Sequence, residues 1–363
     1  MHREFRFFSR ASNHPNCRIY SPRIYLLATV HNITNLRRST MPFSLSSIPY
    51  YTSTPVALVT GGTSGIGTVA VRELARHGFR VYITARNLDK AEKLLEELSV
   101  PVDGADSDDT APVKCDIRIL QCDLMDLKSI VNVADDLKAK ETKLDLLLNN
   151  AGSMFSPYTE SSDGYETTLQ VNYIAPYLLT RLLLPLLLAA DAPRVVNLSS
   201  IVHMLVSSFN FSDPNLTKGL DLLNKGTRYE QSKLAIILFT KQFAKLYPNI
   251  LSVAVHPGVI MDTSLGRHLT TSKDLLGLIK LSWWVVSKVM SVVGGISVED
   301  GALTSLYCAL DKDLGAEKDN GEYFVPIARR SKPSSRANDS ELAAKLWSWT
   351  EEQLVAKGYL KTE

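Results

Sequence analysis

From residue 55 onward, short apolar runs alternate with segments in which apolar residues recur at helical spacing. The short runs predict buried strands at residues 56–60, 80–84, 117–121, 144–149, 194–198, 251–255 and 323–325. The intervening segments predict helices at residues 65–77, 88–98, 127–139, 162–190 and 229–246, and a helix at 339–357 follows the last strand. We expect Pro185 to kink or shorten the longest helix. Repeated strand–helix–strand units predict an α/β fold with a doubly wound parallel sheet, in three layers and one domain.

The two ends of the chain differ from this main domain, which we assign to residues 51–330. Residues 1–50 form a basic extension in which the only acidic residue is Glu4 and seven residues are arginine. This composition is typical of an organelle transit peptide and also of an unstructured tail, so we expect either a mitochondrial or a cytoplasmic protein. Residues 331–363 contain the C-terminal amphipathic helix.

Composition limits the classes of function. The 363 residues carry a net charge of +2, which gives no electrostatic reason to expect a nucleic-acid partner. The four cysteines have no paired spacing and the seven histidines form no metal-ligand pattern, so we expect reduced thiols and no metal site. The apolar stretch 275–293 is interrupted by Lys280 and Lys288, which favours an amphipathic lid or interfacial helix over a membrane span.

The turn after the first predicted strand is rich in glycine and opens a helix. Unpaired N–H groups and the positive end of the dipole at a helix N-terminus attract phosphate, and glycine allows phosphate to approach the backbone closely. A plain strand–helix turn would also use glycine. The residues that we expect to hold a pyrophosphate are Gly61, Ser64, Gly65, Ile66 and Gly67.

Residues after the next three strands suggest which dinucleotide binds. The position where an acidic residue would select NAD is followed by Arg86, whose guanidinium suits the 2′-phosphate of NADP, and Lys90 adds charge nearby. Arg86 could instead only cap a surface turn. Asp123 ends the third strand, where its carboxylate could accept the adenine amino group. Asn150 follows the fourth strand, beside the expected path of the cofactor.

A phenol and an ammonium lie one helical turn apart at Tyr229 and Lys233. A neighbouring cation favours phenolate, so we expect Lys233 to lower the pKa of Tyr229. The preceding strand ends in Ser199 and Ser200, and either hydroxyl could donate to a developing oxyanion at the carboxyl edge of the sheet. Asn172, in the longest helix, could hold a water behind Lys233.

Taken together and in this order, these motifs resemble the short-chain dehydrogenase/reductase family, in its retinol-dehydrogenase-like and fungal-reductase branch. The resemblance covers about residues 55–330 and implies a Rossmann fold. It implies a catalytic tetrad of Asn172, Ser200, Tyr229 and Lys233, with Tyr229 and Lys233 also contacting the cofactor. Ile260 and Thr263 are expected to contact the nicotinamide end of the cofactor, although Thr263 lies one position later in the sequence than the corresponding threonine of the family.

The resemblance implies an NADP-dependent oxidoreductase that interconverts a lipophilic alcohol and its ketone or aldehyde by hydride transfer. Residues 263–297 are expected to be an apolar substrate lid that could also touch a membrane surface, although the same residues could pack as core or as a subunit contact. The helix at 162–190 is where a homodimer is expected, although core packing would also explain many of its leucines. A reductase of a natural-product pathway would differ only in its substrate. A non-catalytic NADP-binding regulatory protein would keep the fold, but both Tyr229 and Lys233 are present.

Overall fold

The computed structural model describes residues 43–99, 115–260 and 296–362, which belong to one compact unit. The expectations for residues 1–42, for Thr263 and for most of the lid therefore lie outside the described residues. Within the described ranges, no helix combines the length and the apolar character needed to cross a bilayer.

The described residues form an eight-stranded sheet in the order β3-β2-β1-β4-β5-β6-β7-β8. Its strands are β1 (Val56–Thr60), β2 (Arg80–Ala85), β3 (Asp116–Gln121), β4 (Leu146–Asn149), β5 (Arg194–Leu198), β6 (Leu251–Val255), β7 (Tyr323–Val325) and β8 (Arg329–Ser331). The first seven are parallel, which confirms the predicted fold class. Strand β8 pairs antiparallel with β7 at the edge. This strand of three polar residues is too short to be recognised as a strand from the sequence pattern.

Helices cover both faces of this sheet. They are α1 (Ile66–Arg76), α2 (Leu88–Ser99), α3 (Leu127–Lys140), α4 (Thr167–Leu169), α5 (Ala175–Leu182), α6 (Leu184–Leu188), α7 (Asp221–Leu246), α8 (Val298–Leu310), α9 (Ala316–Asp319) and α10 (Ser340–Ala356). Short 3₁₀ turns lie at Leu45–Ser47, Ile201–Leu205 and Arg336–Asn338, and a π-helical turn at Gln170–Ile174 joins α4 to α5.

The helix predicted at residues 162–190 is wrong in its start, whereas the interruption expected from Pro185 is confirmed. It begins at Thr167, where Glu166 caps it by accepting a hydrogen bond from the Leu169 N–H. It breaks at Leu183, and Pro185 then lies in the first turn of α6. Proline is tolerated there because the N–H groups of a first turn have no intrahelical partner. Helix α7 also differs, because it starts at Asp221 and places Tyr229 about two turns inside the helix.

The core consists of two apolar layers, one on each face of the sheet. Consecutive strand residues face opposite layers, so that Leu147 packs into one cluster and Leu148 into the other. Leu147 and Leu148 are both fully buried, because helices lie above and below the strands. This explains why the strands are continuous apolar runs rather than alternating ones.

Helix α10 packs on α7 and on α5. The Trp347 ring lies parallel to the Phe239 ring with centroids 6.0 Å apart, and 4.9 Å from the Tyr177 ring. The Arg181 guanidinium donates to Glu351 at 2.7 Å, and this ion pair is largely buried. The C-terminal helix of the chain therefore covers this face with both apolar and charged contacts.

The expectation of a homodimer through the helix at 162–190 stays a prediction, but one face of that helix is covered within the chain itself. Tyr173, Tyr177 and Leu178 are fully buried within the chain itself. The Tyr173 hydroxyl shares a 2.6 Å hydrogen bond with the Thr350 hydroxyl of α10. A second copy could reach this face only by displacing α10, so a homodimer would have to use residues of 162–190 that stay exposed, such as Leu188.

We expect α10 to stay packed on α5 and α7 whatever the oligomeric state of the 40.2 kDa chain in size-exclusion chromatography with light scattering. Trp347→Ala should lower the free energy of unfolding by about 3 kcal/mol, because it removes the ring that covers Phe239. Leu188→Ala, at a side chain 55% exposed, is the matched control and should change stability by under about 0.5 kcal/mol. A dimer whose protected surface maps to α5 or α7 in hydrogen exchange would contradict this arrangement.

Candidate active site

The residues singled out in the sequence gather at the carboxyl edge of the sheet, where β1 to β6 end. Parallel strands bring all their carboxyl ends to one edge, so residues far apart in the chain meet there. The glycine turn follows β1, Arg86 follows β2, Asp123 follows β3, Asn150 follows β4 and Ser200 follows β5. Tyr229 and Lys233 reach this edge from α7, and Ile260 follows β6.

The glycine turn has the backbone shape of a phosphate cradle. Gly61 and Gly65 have φ values of 66° and 56°, in the left-handed region that favours glycine. A Cβ at Gly67 would lie 2.2 Å from the Gly61 carbonyl oxygen, which no side chain could tolerate. No side chain caps the start of α1. The cradle therefore fits a phosphate group approached by backbone N–H groups.

Asn150 ties this turn to β4. Its side-chain amide donates to the carbonyl oxygens of Thr60 and Gly61 at 2.9 and 3.1 Å. The Thr60 hydroxyl in return accepts the backbone N–H groups of Asn150 and Ala151, both at 3.0 Å. The predicted cofactor residue Asn150 thus supports the shape of the cradle through its side chain.

Arg86 and Asp123 line one pocket of about 390 Å³ together with residues of β3 and α3. The other lining residues are Gln121, Cys122, Asp126, Ser129 and Asn132. Arg86 is exposed and forms no ion pair with the described residues. Lys90 is also exposed but does not line the pocket, and its backbone N–H donates to the side chain of Asn87, which directly precedes α2. The pocket has a cationic rim and a carboxylate wall.

Tyr229 is 8% exposed and hydrogen-bonds with Ser200. Ser199 is turned away from this pair, since its hydroxyl donates to the backbone carbonyl of Lys233 at 2.8 Å. Of the two serines left open by the sequence, Ser200 is thus the one beside the phenol.

The Lys233 ammonium lies under the Tyr229 ring. Its Nζ is 5.5 Å from the ring centroid and donates to the Leu198 carbonyl oxygen at 2.8 Å. A Cβ on Gly152 would come within 3.7 Å of this Nζ and within 3.5 Å of Asn172 Oδ1. Gly152 therefore separates the two polar groups without adding bulk between them.

Burial controls the protonation of this pair. It raises the pKa of Tyr229 to about 12, with the Ser200 hydrogen bond acting in the opposite direction. It lowers the pKa of Lys233 to about 7. That a charged Lys233 lowers the Tyr229 pKa stays a prediction, and burial acts against it because loss of solvent disfavours both charged forms.

Asn172 lies in the π-helical turn and joins two parts of the site. Its Oδ1 accepts the Ser153 N–H at 2.7 Å, and its amide donates to Ser153 O and to the Ser232 hydroxyl, both at 2.9 Å. Both amide hydrogens are thereby used within the protein. The side chain acts as a tie between the loop after β4 and α7, and a water bound beside it stays a prediction.

Three neighbours of the site were not found from the sequence. Phe155, with φ of 55°, places its ring 6.3 Å from the Tyr229 ring. Gly301 of α8 leaves space for the side chains of Ile260 and Ile66. A Cβ at position 301 would lie 2.3 Å from the Ile260 side chain and 3.0 Å from the Ile66 side chain. His203 is buried just after Ser200. An aromatic residue in a loop, a helical glycine and a lone histidine give no pattern that separates them from ordinary core residues.

Comparison with known proteins gives a consistent result. The family profile of the short chain dehydrogenases matches residues 55–212. The short-chain dehydrogenase/reductase drtF of Aspergillus calidoustus is 38% identical over 334 residues, which make up 86% of this chain and 96% of that protein. Retinol dehydrogenase 12 of Mus musculus is 38% identical over 294 residues, covering 80% of this chain and 84% of that protein.

Solved structures agree on the fold. An uncharacterized protein from Mycobacterium paratuberculosis is 26% identical, with a TM-score of 0.62 over 86% of this chain and 97% of that chain. The NADP complex of RhlG from Pseudomonas aeruginosa, at 21% identity, has a TM-score of 0.55 over 80% of this chain and 99% of that chain. By sequence similarity over most of its length and by its Rossmann fold, the chain belongs to the short-chain dehydrogenase/reductase family of oxidoreductases.

Proposed function

We propose that this protein is an NADP(H)-dependent oxidoreductase that interconverts a lipophilic alcohol and its ketone or aldehyde. The observation that carries the proposal is the buried Tyr229–Ser200 pair above Lys233, at the edge of the sheet where ligands of open α/β folds bind. A regulatory protein that only bound a dinucleotide would have no need of a buried phenol hydrogen-bonded to a serine.

Tyr229 acts as the proton donor to a carbonyl oxygen, or as the acceptor from a hydroxyl in the reverse reaction. Burial keeps the phenol protonated at neutral pH, which is the form required for donation. Ser200 donates to the same substrate oxygen and stabilises the negative charge that develops on it. Because both groups are buried, water competes little for either hydrogen bond.

Lys233 supports this proton transfer from below. Its ammonium is held by the Leu198 carbonyl, so its position is independent of the substrate. In its charged form it stabilises phenolate, which is the state of Tyr229 after the proton has left. Asn172 holds the loop after β4 against α7 and thereby keeps this arrangement in place.

The residues present fit a phosphorylated dinucleotide. The glycine turn after β1 has room for phosphate at the start of α1. The pocket lined by Arg86 and Asp123 has the polar walls that an adenosine needs. Arg86, exposed and without a described ionic partner, would bind the 2′-phosphate, with Lys90 adding longer-range attraction. When bound, the nicotinamide of this cofactor supplies or accepts the hydride.

Two observations favour a lipophilic substrate. The half-buried Phe155 ring forms an apolar wall next to the Tyr229 ring. Relatives at 33–38% identity are named as retinol dehydrogenases, and retinol is an apolar alcohol. Apolar walls with few polar groups are typical of sites that select such molecules by burial rather than by hydrogen bonding.

Tyr229→Phe should lower kcat by at least about 100-fold, because it removes the proton donor and keeps the ring. The measurement is NADPH oxidation with a panel of lipophilic ketones and aldehydes, together with NADPH binding, which should not change. Tyr165→Phe is the matched control, since Tyr165 is equally buried and its hydroxyl has no hydrogen-bond partner among the described residues. Full turnover by Tyr229→Phe would overturn the proposed mechanism.

Arg86→Asp should reduce kcat/KM with NADPH by about 100-fold and raise the activity with NADH. The expected loss follows from one or two charge-assisted hydrogen bonds, each contributing about 1.5–3 kcal/mol. Lys90→Ala is the control, with a smaller effect expected because Lys90 does not line the pocket. An unchanged ratio between the two cofactors would remove Arg86 from the recognition of the phosphate.

Phe155→Ala should raise KM for apolar substrates by about tenfold and change kcat less, since a wall that contacts substrate and transition state alike contributes uniform binding. Phe211→Ala is the control, because that ring packs on Phe209 and Trp349. Equal KM values for wild type and Phe155→Ala across the panel would show that the ring does not contact the substrate.

A further inference from the structure

His203 is a buried polar residue that the proposed proton transfer does not use. It lies in the 3₁₀ turn Ile201–Leu205, directly after Ser200, and its side chain has no exposure to solvent. A buried imidazole must satisfy both ring nitrogens within the protein. The partners that it finds are informative.

The two ring nitrogens of His203 bind two different parts of the chain. Nδ1 lies 2.7 Å from the Ser200 carbonyl oxygen, and Nε2 accepts the backbone N–H of Ser334 at 3.0 Å. An amide N–H can only donate, so Nε2 must carry no proton. The neutral ring therefore has its proton on Nδ1 and donates it to the Ser200 carbonyl.

The same carbonyl is held twice by one residue. The backbone N–H of His203 also donates to Ser200 O, at 3.2 Å. The peptide plane that follows Ser200 is therefore fixed by two donors, and the orientation of this plane limits where the Ser200 hydroxyl can point. By contrast, the only backbone contact of that hydroxyl among the described residues is a 3.4 Å bond from the Val202 N–H.

The surroundings keep the ring in this one state. The Tyr323 ring packs edge-on against it with centroids 5.2 Å apart. Burial lowers the pKa of His203 to about 4, so the ring stays neutral at physiological pH. Protonation would place an Nε2–H against the Ser334 N–H and break that hydrogen bond.

We propose that His203 is a positioning residue that aims the Ser200 hydroxyl at Tyr229 and links it to the C-terminal segment at Ser334. The inference rests on the proposed function, because it gives Ser200 its catalytic task. Its physical basis is that displacement of a reacting group by about 1 Å costs about 100-fold in rate. A carbonyl held by two donors and anchored to a second segment resists such a displacement.

Two substitutions separate the two hydrogen bonds. In His203→Asn, the side-chain amide nitrogen can take the place of Nδ1 and keep the hydrogen bond to the Ser200 carbonyl. In His203→Gln, the side-chain amide oxygen can take the place of Nε2 and keep only the hydrogen bond from the Ser334 N–H. We expect kcat to fall by about tenfold in His203→Gln and by less than about threefold in His203→Asn, with KM for NADPH unchanged in both. Equal losses in the two variants would indicate a general packing role and overturn the proposal.

A second comparison tests whether the effect passes through Ser200. In a Ser200→Ala background, His203→Gln should lower kcat no further, since there is no hydroxyl left to position. The same tenfold loss in both backgrounds would contradict the proposal. If Tyr229→Phe retained full activity, the proposed function would fail while the tautomer of His203 could still be tested.

That tautomer is measurable without any assay of activity. With ¹⁵N-labelled histidine in the full chain, we expect the signal absent from His203→Asn to show a protonated Nδ1 and a bare Nε2, unchanged between about pH 5 and pH 8. A proton on Nε2, or a titration within this range, would overturn the proposal even if a variant failed to fold.

Discussion

The exclusion of water from both faces of the parallel sheet is the constraint on which the rest of this structure depends. Helices on both sides leave only the strand ends open to ligands, so polar groups with a chemical task collect there. Inside the layers, buried side-chain amides have no water to bind and must form hydrogen bonds with other protein groups. Asn149 donates to Asn197 at 2.8 Å, and Asn197 donates to Thr240 at 3.1 Å, which joins β4, β5 and α7 just below the site.

The same exclusion of water determines the chemistry of the candidate site. It shifts the pKa of Tyr229 and that of Lys233 in opposite directions, both toward the neutral form. A phenol that stays protonated suits donation to a carbonyl oxygen. A nearby positive charge would favour phenolate, as alcohol oxidation requires. The Tyr–Lys pair is thus sensitive to any charge that enters the site.

The C-terminal region contributes to this site although it lies far away in the chain. Helix α10 covers α5 and α7, and its Thr350 bonds Tyr173 next to Asn172. Ser334 reaches the site through His203. Through these contacts the C-terminal segment helps to hold Asn172 and Ser200, two of the four residues that we propose as the catalytic tetrad. They also cover part of the surface at which a homodimer is expected.

The sequence by itself determined the fold class, the order of the strands along the chain and the residues at their carboxyl ends. Those features depend on local patterns, because a strand buried on both faces must be apolar and a turn at positive φ favours glycine. Only the tertiary structure decided which serine faces Tyr229, that Asn172 has both amide hydrogens bound, and that α10 covers one face of the helix at 162–190. Each of these three features depends on residues that lie far apart in the chain. Burial sets the pKa of Tyr229, and burial is a property of the assembled core rather than of any local sequence pattern.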